Sequence, residues 1–487
     1  MNKIILLFLF GLACLSSVAQ EQTESLSLKE TIQRAKEKSP SYYRAVNQAE
    51  NEYWNFRQFR ASNMPQLRLN GTLPEYSKSI ARVLQDDGTY AFPQSEQLLL
   101  DASLSLNQRV LLTGGNFSVS SSLQRTDIYN PVRRLDYFSV PVSLNYSQPM
   151  MLYNELKWNN RIQPIVYKES QRAFHEDMES ISAEATELYF NALEASINWQ
   201  IAMFNVSNND TLYQISKGRY NLGKIAENDL LQIELNLLNA RNSLRSANLN
   251  YEIATQDLKR YLGIPTDTDL KLSIPTDVPT VEIPVDRALE EARNNRQAVL
   301  EFRRRRLEAE QAVAAARGQS GYNFNLQANF GLNKQDNDFE QVYLSPFSQQ
   351  NRVSVGISIP IVDWGNAKAQ VRRAKANRDL VEVNVQQDEV NFEQEVYLQV
   401  MRFNMQLAQL EIAAKADTVA QKRYEVTKQR YLTGKISITD LNLAQSEKDS
   451  ARKSYLGALR SYWASYYTVR RLTLYDFVNQ RPIIYDY

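Results

Sequence analysis

The chain has 487 residues, with 56 basic and 55 acidic side chains, one cysteine and one histidine. A balanced charge argues against a nucleic-acid partner. A lone histidine and a lone cysteine remove most transition-metal sites and most histidine-based catalysis, and the sequence has no Gly-rich phosphate loop, G-x-S-x-G or H-E-x-x-H run.

Met1 to Gln20 reads as a secretory signal, with Lys3 as its positive end, Ile4 to Leu12 as its apolar core and Ser17-Val18-Ala19 as a small-residue cleavage site. Cleavage after Ala19 is the expectation. Lipidation at Cys14 is the alternative, and Gly11 fits it poorly because such signals usually have a branched apolar residue there. The apolar run is about half of the roughly 20 residues that a span needs. No later stretch approaches a transmembrane helix, so membrane insertion would require a closed barrel. Without the signal the chain has no cysteine and no disulfide.

A helical pattern covers Leu28 to Ser62. Period-2 alternation follows near 66–75, 98–112, 117–125 and 137–149, carried by residues such as Leu67, Leu69, Val140, Val142 and Leu144. Thr113-Gly114-Gly115-Asn116 between two of these runs is a hairpin signal. Alternation with Ser, Asn and Gln suits a barrel with a lipid face and a wet lumen, and it would equally suit a half-buried sheet. Pro141 is better tolerated at an edge or a bulge. Tyr76, Tyr90, Phe92, Tyr129, Tyr343 and Phe347 lie near the expected outer loops, either as an interfacial belt or as isolated surface aromatics. After Pro149 comes an aromatic turn at Tyr153, then a helical pattern over Asn154 to Tyr220. At 1.5 Å per residue this helix would be roughly 100 Å long, and such helices attached to strand pairs favour the barrel. His175 within it reads as a solvated position. A Gly-centred break leads to a return helix over Asp229 to Leu262, whose Leu230, Ile233, Leu237 and Leu244 read as coiled-coil packing residues. Gly263 to Pro284 carries Pro265, Pro275, Pro279 and Pro284 and cannot be helical.

The second half repeats the first. A helical pattern over Val285 to Gly318 aligns with Leu28 to Ser62 at an offset of 257 residues. Its run Arg303 to Arg306 reads as a solvated surface. Alternation near 323–333 and 352–361 ends at Pro360 and Trp364, and long and return helices follow over Gly365 to Tyr431 and Asp440 to Thr473. Lys217 to Leu230 reappears as Lys428 to Leu441 at an offset of 211 residues, with Arg219, Tyr220, Gly223, Lys224, Ile225, Asp229 and Leu230 opposite Arg430, Tyr431, Gly434, Lys435, Ile436, Asp440 and Leu441. The change of offset from 257 to 211 leaves 46 additional residues in repeat one.

The duplicated organisation, the strand-Pro-turn-helix elements at Pro149 and Pro360, and the Tyr-x-x-Gly-x5-Asp-Leu tips at Tyr220 and Tyr431 resemble the outer-membrane efflux proteins, the TolC family, over essentially the whole chain after the signal. The resemblance implies a mostly α protomer of two repeats. Three copies would share a transmembrane β-barrel in the outer membrane and an α-helical tunnel in the periplasm. The expected parts are the signal 1–19, a periplasmic helix 20–63, barrel strands with an extra hairpin 64–149, long and return helices 150–262, an equatorial linker 263–284, a second periplasmic helix 285–320, barrel strands 321–361, long and return helices 362–475 and a tail 476–487. Six strands per protomer would give 18 in the trimer, or 12 if the extra hairpin lies outside the wall. Two features depart from the family: the 46 additional residues, and a turn after Pro149 without the usual Gly-Gly, of which Gly365 keeps half.

The family implies a passive conduit rather than an enzyme, with no cofactor or metal. Its expected partners are outer-membrane lipid, a periplasmic adaptor and, through the adaptor, an inner-membrane transporter. It serves efflux or type I secretion. Asp229 and Tyr431 match positions of a link that holds the periplasmic entrance shut, a hydroxyl donating to a carboxylate. Asp440 from three protomers would form an acidic ring. Both aspartates also read simply as helix N-caps. Leu222, Gly223, Thr433 and Gly434 would meet the adaptor, although glycine at a turn also answers a plain need for positive φ. A periplasmic or surface helical scaffold without a channel is the alternative.

Overall fold

The computed structural model describes residues 23–486 except 81, 131 and 150–152. The signal, its cleavage site at Ala19, Cys14 and the turn residues Met150, Met151 and Leu152 lie outside the described residues. In chain order the strands are β1 (Thr23–Leu26), β2 (Gln66–Ile80), β3 (Val83–Leu84), β4 (Tyr90–Ala91), β5 (Gln94–Arg109), β6 (Asn116–Asn130), β7 (Arg134–Gln148), β8 (Asp269–Leu272), β9 (Asn323–Asp336), β10 (Ser348–Ser358), β11 (Tyr475–Asp476) and β12 (Arg481–Pro482). The helices are α1 (Leu28–Lys38), α2 (Pro40–Ser62), α3 (Glu155–Asn221), α4 (Glu227–Leu262), α5 (Val285–Asn295), α6 (Gln297–Gln319), α7 (Asn366–Leu432) and α8 (Ile438–Thr473). Among the described residues, no helix is long and apolar enough to cross a membrane. The chain forms two compact units.

The unit formed by 51–169 and 300–389 contains one antiparallel sheet in the order β10-β9-β7-β6-β5-β2. The extra residues of repeat one form β5 and β6 in its interior. Their turn is closed by Gly114 N–H to the Val110 carbonyl at 2.8 Å. It lies beside the start of α3, where the Asn154 amide donates to the Leu111 carbonyl at 2.8 Å. Pro141 lies where the pairing slips on both sides, between Ser120 and Ser122 against β6 and between Ser139 and Val142 against β9. A bulge accommodates the ring because it needs no ladder N–H there.

Burial on this sheet is inverted. Leu67, Leu106, Val119, Leu144 and Phe330 face one another across five strands, yet Leu67 is 65% exposed and Leu106 and Phe330 are also exposed. The opposite face carries Arg68, Ser105, Ser120, Ser143 and Gly331 in register, and Ser143 is only 8% exposed. In water a sheet hides its apolar face, so this sheet is built for an apolar surround. The arginine run is no solvated surface. Arg304 pairs with Glu169 at 2.8 Å, Arg305 with Asp388 at 2.7 Å, and Arg306 with both Glu382 and Glu389 at 3.0 and 2.8 Å. Guanidinium forks clamp α6 to α3 and α7; Arg303 alone stays exposed.

In the other unit, Leu28 to Ser62 is not one helix. It breaks at Ser39, whose backbone is extended (φ −72°, ψ 151°) because the following Pro40 disfavours the helical region. The expected second helix breaks at Arg296 (φ −71°, ψ 146°), the position 257 residues on, without a proline. There Glu176 accepts the Gln297 N–H at 2.7 Å. Thr23 to Leu26, expected to lead into a helix, is instead strand β1, which pairs in parallel with β8 of the linker. The tail is also structured. β11 and β12 form a hairpin, and the Tyr485 hydroxyl reaches Glu179. Glu179 has no exposed surface and also accepts from Arg470 at 2.9 Å and from Lys36 at 3.4 Å. His175 is half-buried, and its Nδ1 accepts the Tyr485 N–H at 3.3 Å. The solvated reading of His175 therefore fails, because a tail that leaves no periodic signal covers it. Burial lowers its pKa below the ordinary imidazole value.

Candidate functional site

The two duplicated turns close in the same way. At the end of α3, Gly223 N–H bonds the Tyr220 carbonyl at 2.8 Å and Lys224 N–H the Arg219 carbonyl at 2.9 Å. At the end of α7, Gly434 N–H bonds the Tyr431 carbonyl at 2.9 Å and Lys435 N–H the Arg430 carbonyl at 3.0 Å. This is the glycine-terminated helix end that satisfies orphan carbonyls. Gly223 and Gly434 have φ of 66° and 75°, in the left-handed region that glycine enters without strain. Both glycines and Thr433 are exposed, and Leu222 is 75% exposed.

The return helices start differently. Neither aspartate is the N-cap. Ser437 caps α8, and Asp440 completes a capping box from the third helical position, accepting the Ser437 N–H at 3.2 Å and its hydroxyl at 2.7 Å. The Ser437 hydroxyl, then its N–H, holds the Asp440 pKa below the ordinary carboxylate value. In α4 the N-cap is Ala226, with no side-chain cap. Asp229 holds the third position without a serine to bind. Its carboxylate takes part in none of the hydrogen bonds found among the described residues.

Tyr431 is 7% exposed and packs in a cluster with Leu212, Ile233, Tyr424, Ile438, Leu441 and Ala444. The structure thus brings Tyr431 and the base of α4 into one apolar cluster. Among the described residues, however, no hydrogen bond joins Tyr431 to Asp229 within the chain. Arg219, which had no assigned role, reaches across instead. It donates to the Leu432 carbonyl at 3.1 Å and lies 5.8 Å over the Tyr431 ring, tying the first tip to the second. The signal for it was present, since Arg219 is one of the residues the repeat preserves.

The pattern of the outer membrane efflux protein family matches residues 111–264 and 288–473. No curated protein matches the chain in sequence. Solved structures resemble it in fold. The CmeC outer membrane channel of Campylobacter jejuni has a TM-score of 0.65 at 17% identity, covering 94% of this chain and 87% of that one. The outer membrane protein VceC of Vibrio cholerae has 0.63 at 14%, covering 94% and 96%. The open state of the Neisseria gonorrhoeae MtrE outer membrane channel has 0.59 at 16%, covering 92% and 88%. The fold is that of outer-membrane channels with a helical tunnel. The chain belongs to the outer membrane efflux protein family.

Proposed function

We propose that three copies of this chain form the outer-membrane conduit of a tripartite efflux or type I secretion system, opened at its helix tips. The observation that carries this reading is the open sheet with an exposed apolar face and a partner on only one side of β2 and β10. Unpaired edges are a liability in solution that closure removes. Three six-stranded sheets joined edge to edge would make an 18-stranded wall, with the Ser/Asn/Gln face lining the lumen and the apolar face on lipid.

An apolar stripe on α7 supports the trimer. Leu398, Met405, Ile412, Val419 and Val426 recur every seventh residue and all are exposed, a seam that a neighbouring helix would cover. The exposed tips at Leu222, Gly223, Thr433 and Gly434 would receive a periplasmic adaptor and, through it, an inner-membrane transporter that supplies the energy. Outer-membrane fractions run without boiling should give a heat-sensitive trimer band, and the purified trimer should conduct in planar bilayers. A heat-stable monomer without conductance would sink this reading and favour the helical scaffold.

A further inference from the structure

A groove of about 1030 Å³ runs between α3, α4 and α8. A coiled-coil seam normally carries branched apolar residues every three to four positions. Here the groove is lined largely by amides and hydroxyls, with Glu194, Asp449 and Lys453 among them and small apolar residues such as Ala202 and Ala240 beside them. Asn198 and Asn205 stand seven apart on α3; Asn236, Ser243 and Asn250 stand seven apart on α4; and Asp449 faces them from α8. Asn205 donates to one Asp449 carboxylate oxygen at 2.7 Å. The side-chain oxygens of Asn198 and Asn205 are buried without a hydrogen-bond partner, and the other Asp449 oxygen lies 3.4 Å from the Lys448 ammonium.

Dry packing bounds this stretch at both ends. On the tip side is the cluster of Leu212, Ile233, Tyr431 and Leu441. On the other side Leu193, Leu258, Leu262 and Leu459 are buried. Buried polar groups without protein partners are satisfied by water, and a groove of this size and polarity has room for it.

We infer that this wet seam is the flexure of the tunnel. The dry tip cluster swings as one body, and the helices shift past one another in the amide-lined stretch. Interdigitated apolar side chains resist sliding because every contact must be lost before another forms. Water-bridged amides exchange partners with little net loss of hydrogen bonding. The inference rests on the channel reading and names the segment that bends, which that reading leaves open.

Amide exchange on the full-length trimer, with single-channel recording, tests it. Residues 236–250 of α4 should exchange roughly tenfold faster than residues 255–262 of the same helix, a ratio that corresponds to about 1.4 kcal/mol. Filling the seam with Asn198→Leu, Asn236→Leu and Ser243→Leu should slow that exchange and suppress opening. Asn236→Ala with Asn250→Ala adds no bulk and should preserve both, so it decides the matter if the filled variant does not fold. Equal exchange in the two segments of the wild type, or a filled seam with unchanged opening, overturns the inference and leaves the channel intact. A wild-type trimer that never conducts overturns the channel reading itself, and the flexure with it.

Discussion

Asp229 and Asp440 hold the same place in two copies of one motif, and their neighbours separate them. Ser437 engages the Asp440 carboxylate, whereas Ala226 leaves Asp229 uncommitted. Asp229 is therefore the better candidate for a link that forms and breaks. Tyr431→Phe combined with Asp229→Ala should raise single-channel conductance in planar bilayers; wild-type conductance in the double variant would sink the link. Asp440→Ala should lower cation preference, measured as the reversal potential in a salt gradient. The effect should fade with salt, as the Debye length falls from about 10 Å at 0.1 M to about 3 Å at 1 M. Because its folded pKa lies below the ordinary value of 3.8, Asp440 contributes charge and capping above that value and loses both only as pH falls through the lower folded value. Cation preference should accordingly persist into mild acid. Loss of the preference at higher pH would instead report repulsion among neighbouring carboxylates, which raises their pKa. Both aspartates were legible in the sequence from the repeat, but their different commitments depend on what stands three residues earlier.

Helix lengths were read almost to the residue. α3 and α7 each span 67 residues, as the spacing of the turn signals requires, because proline and glycine punctuate both ends. The breaks at Ser39 and Arg296 leave no mark in the apolar periodicity. At Ser39 a proline announces one, but apolar periodicity continues through it. At Arg296 only the distant Glu176 reveals the other. The tail belongs to the same class of long-range effect, since its anchor is a buried carboxylate 306 residues away. Burial alone would raise the Glu179 pKa, but hydrogen bonds and charge from Arg470 and the charge of Lys36 outweigh it and lower it. Glu179→Gln would leave Lys36 without its counter-charge and Arg470 with Asp476 alone. Breaking such a buried pair costs about 3–5 kcal/mol, so the unfolding midpoint of the protein in denaturant should drop, with the tail released to proteolysis. An unchanged midpoint would mean that solvent reaches the node.

At the scale of the whole molecule, the extra hairpin is a part of the six-stranded sheet. β5 and β6 pair with β2 and β7 within the same sheet, which is what an 18-stranded barrel would need of each protomer. Cys14 is the only cysteine, so with Cys14 replaced single-cysteine labelling can be read without background. In intact outer membranes Ser105→Cys should react with a charged, water-soluble maleimide from the lumen, and Leu104→Cys, facing lipid, should not. Equal labelling of the two would show that the hairpin has water on both faces.

The sequence alone determined the duplication, the presence of six long strands, the lengths of α3 and α7 and the position of each tip. These depend on local periodicity and on proline and glycine, whose backbone limits act within a few residues. It could not determine which face of the sheet is hidden, because alternation is the same for a water-soluble sheet and a lipid-facing one. The tertiary structure decided that, with Leu67 exposed and Ser143 buried. It also decided that Arg219 ties the two tips, that the arginine run clamps neighbouring helices, and that asparagines line one groove between α3, α4 and α8. Each of these joins residues far apart in the chain, where only the packed fold brings a donor to its acceptor.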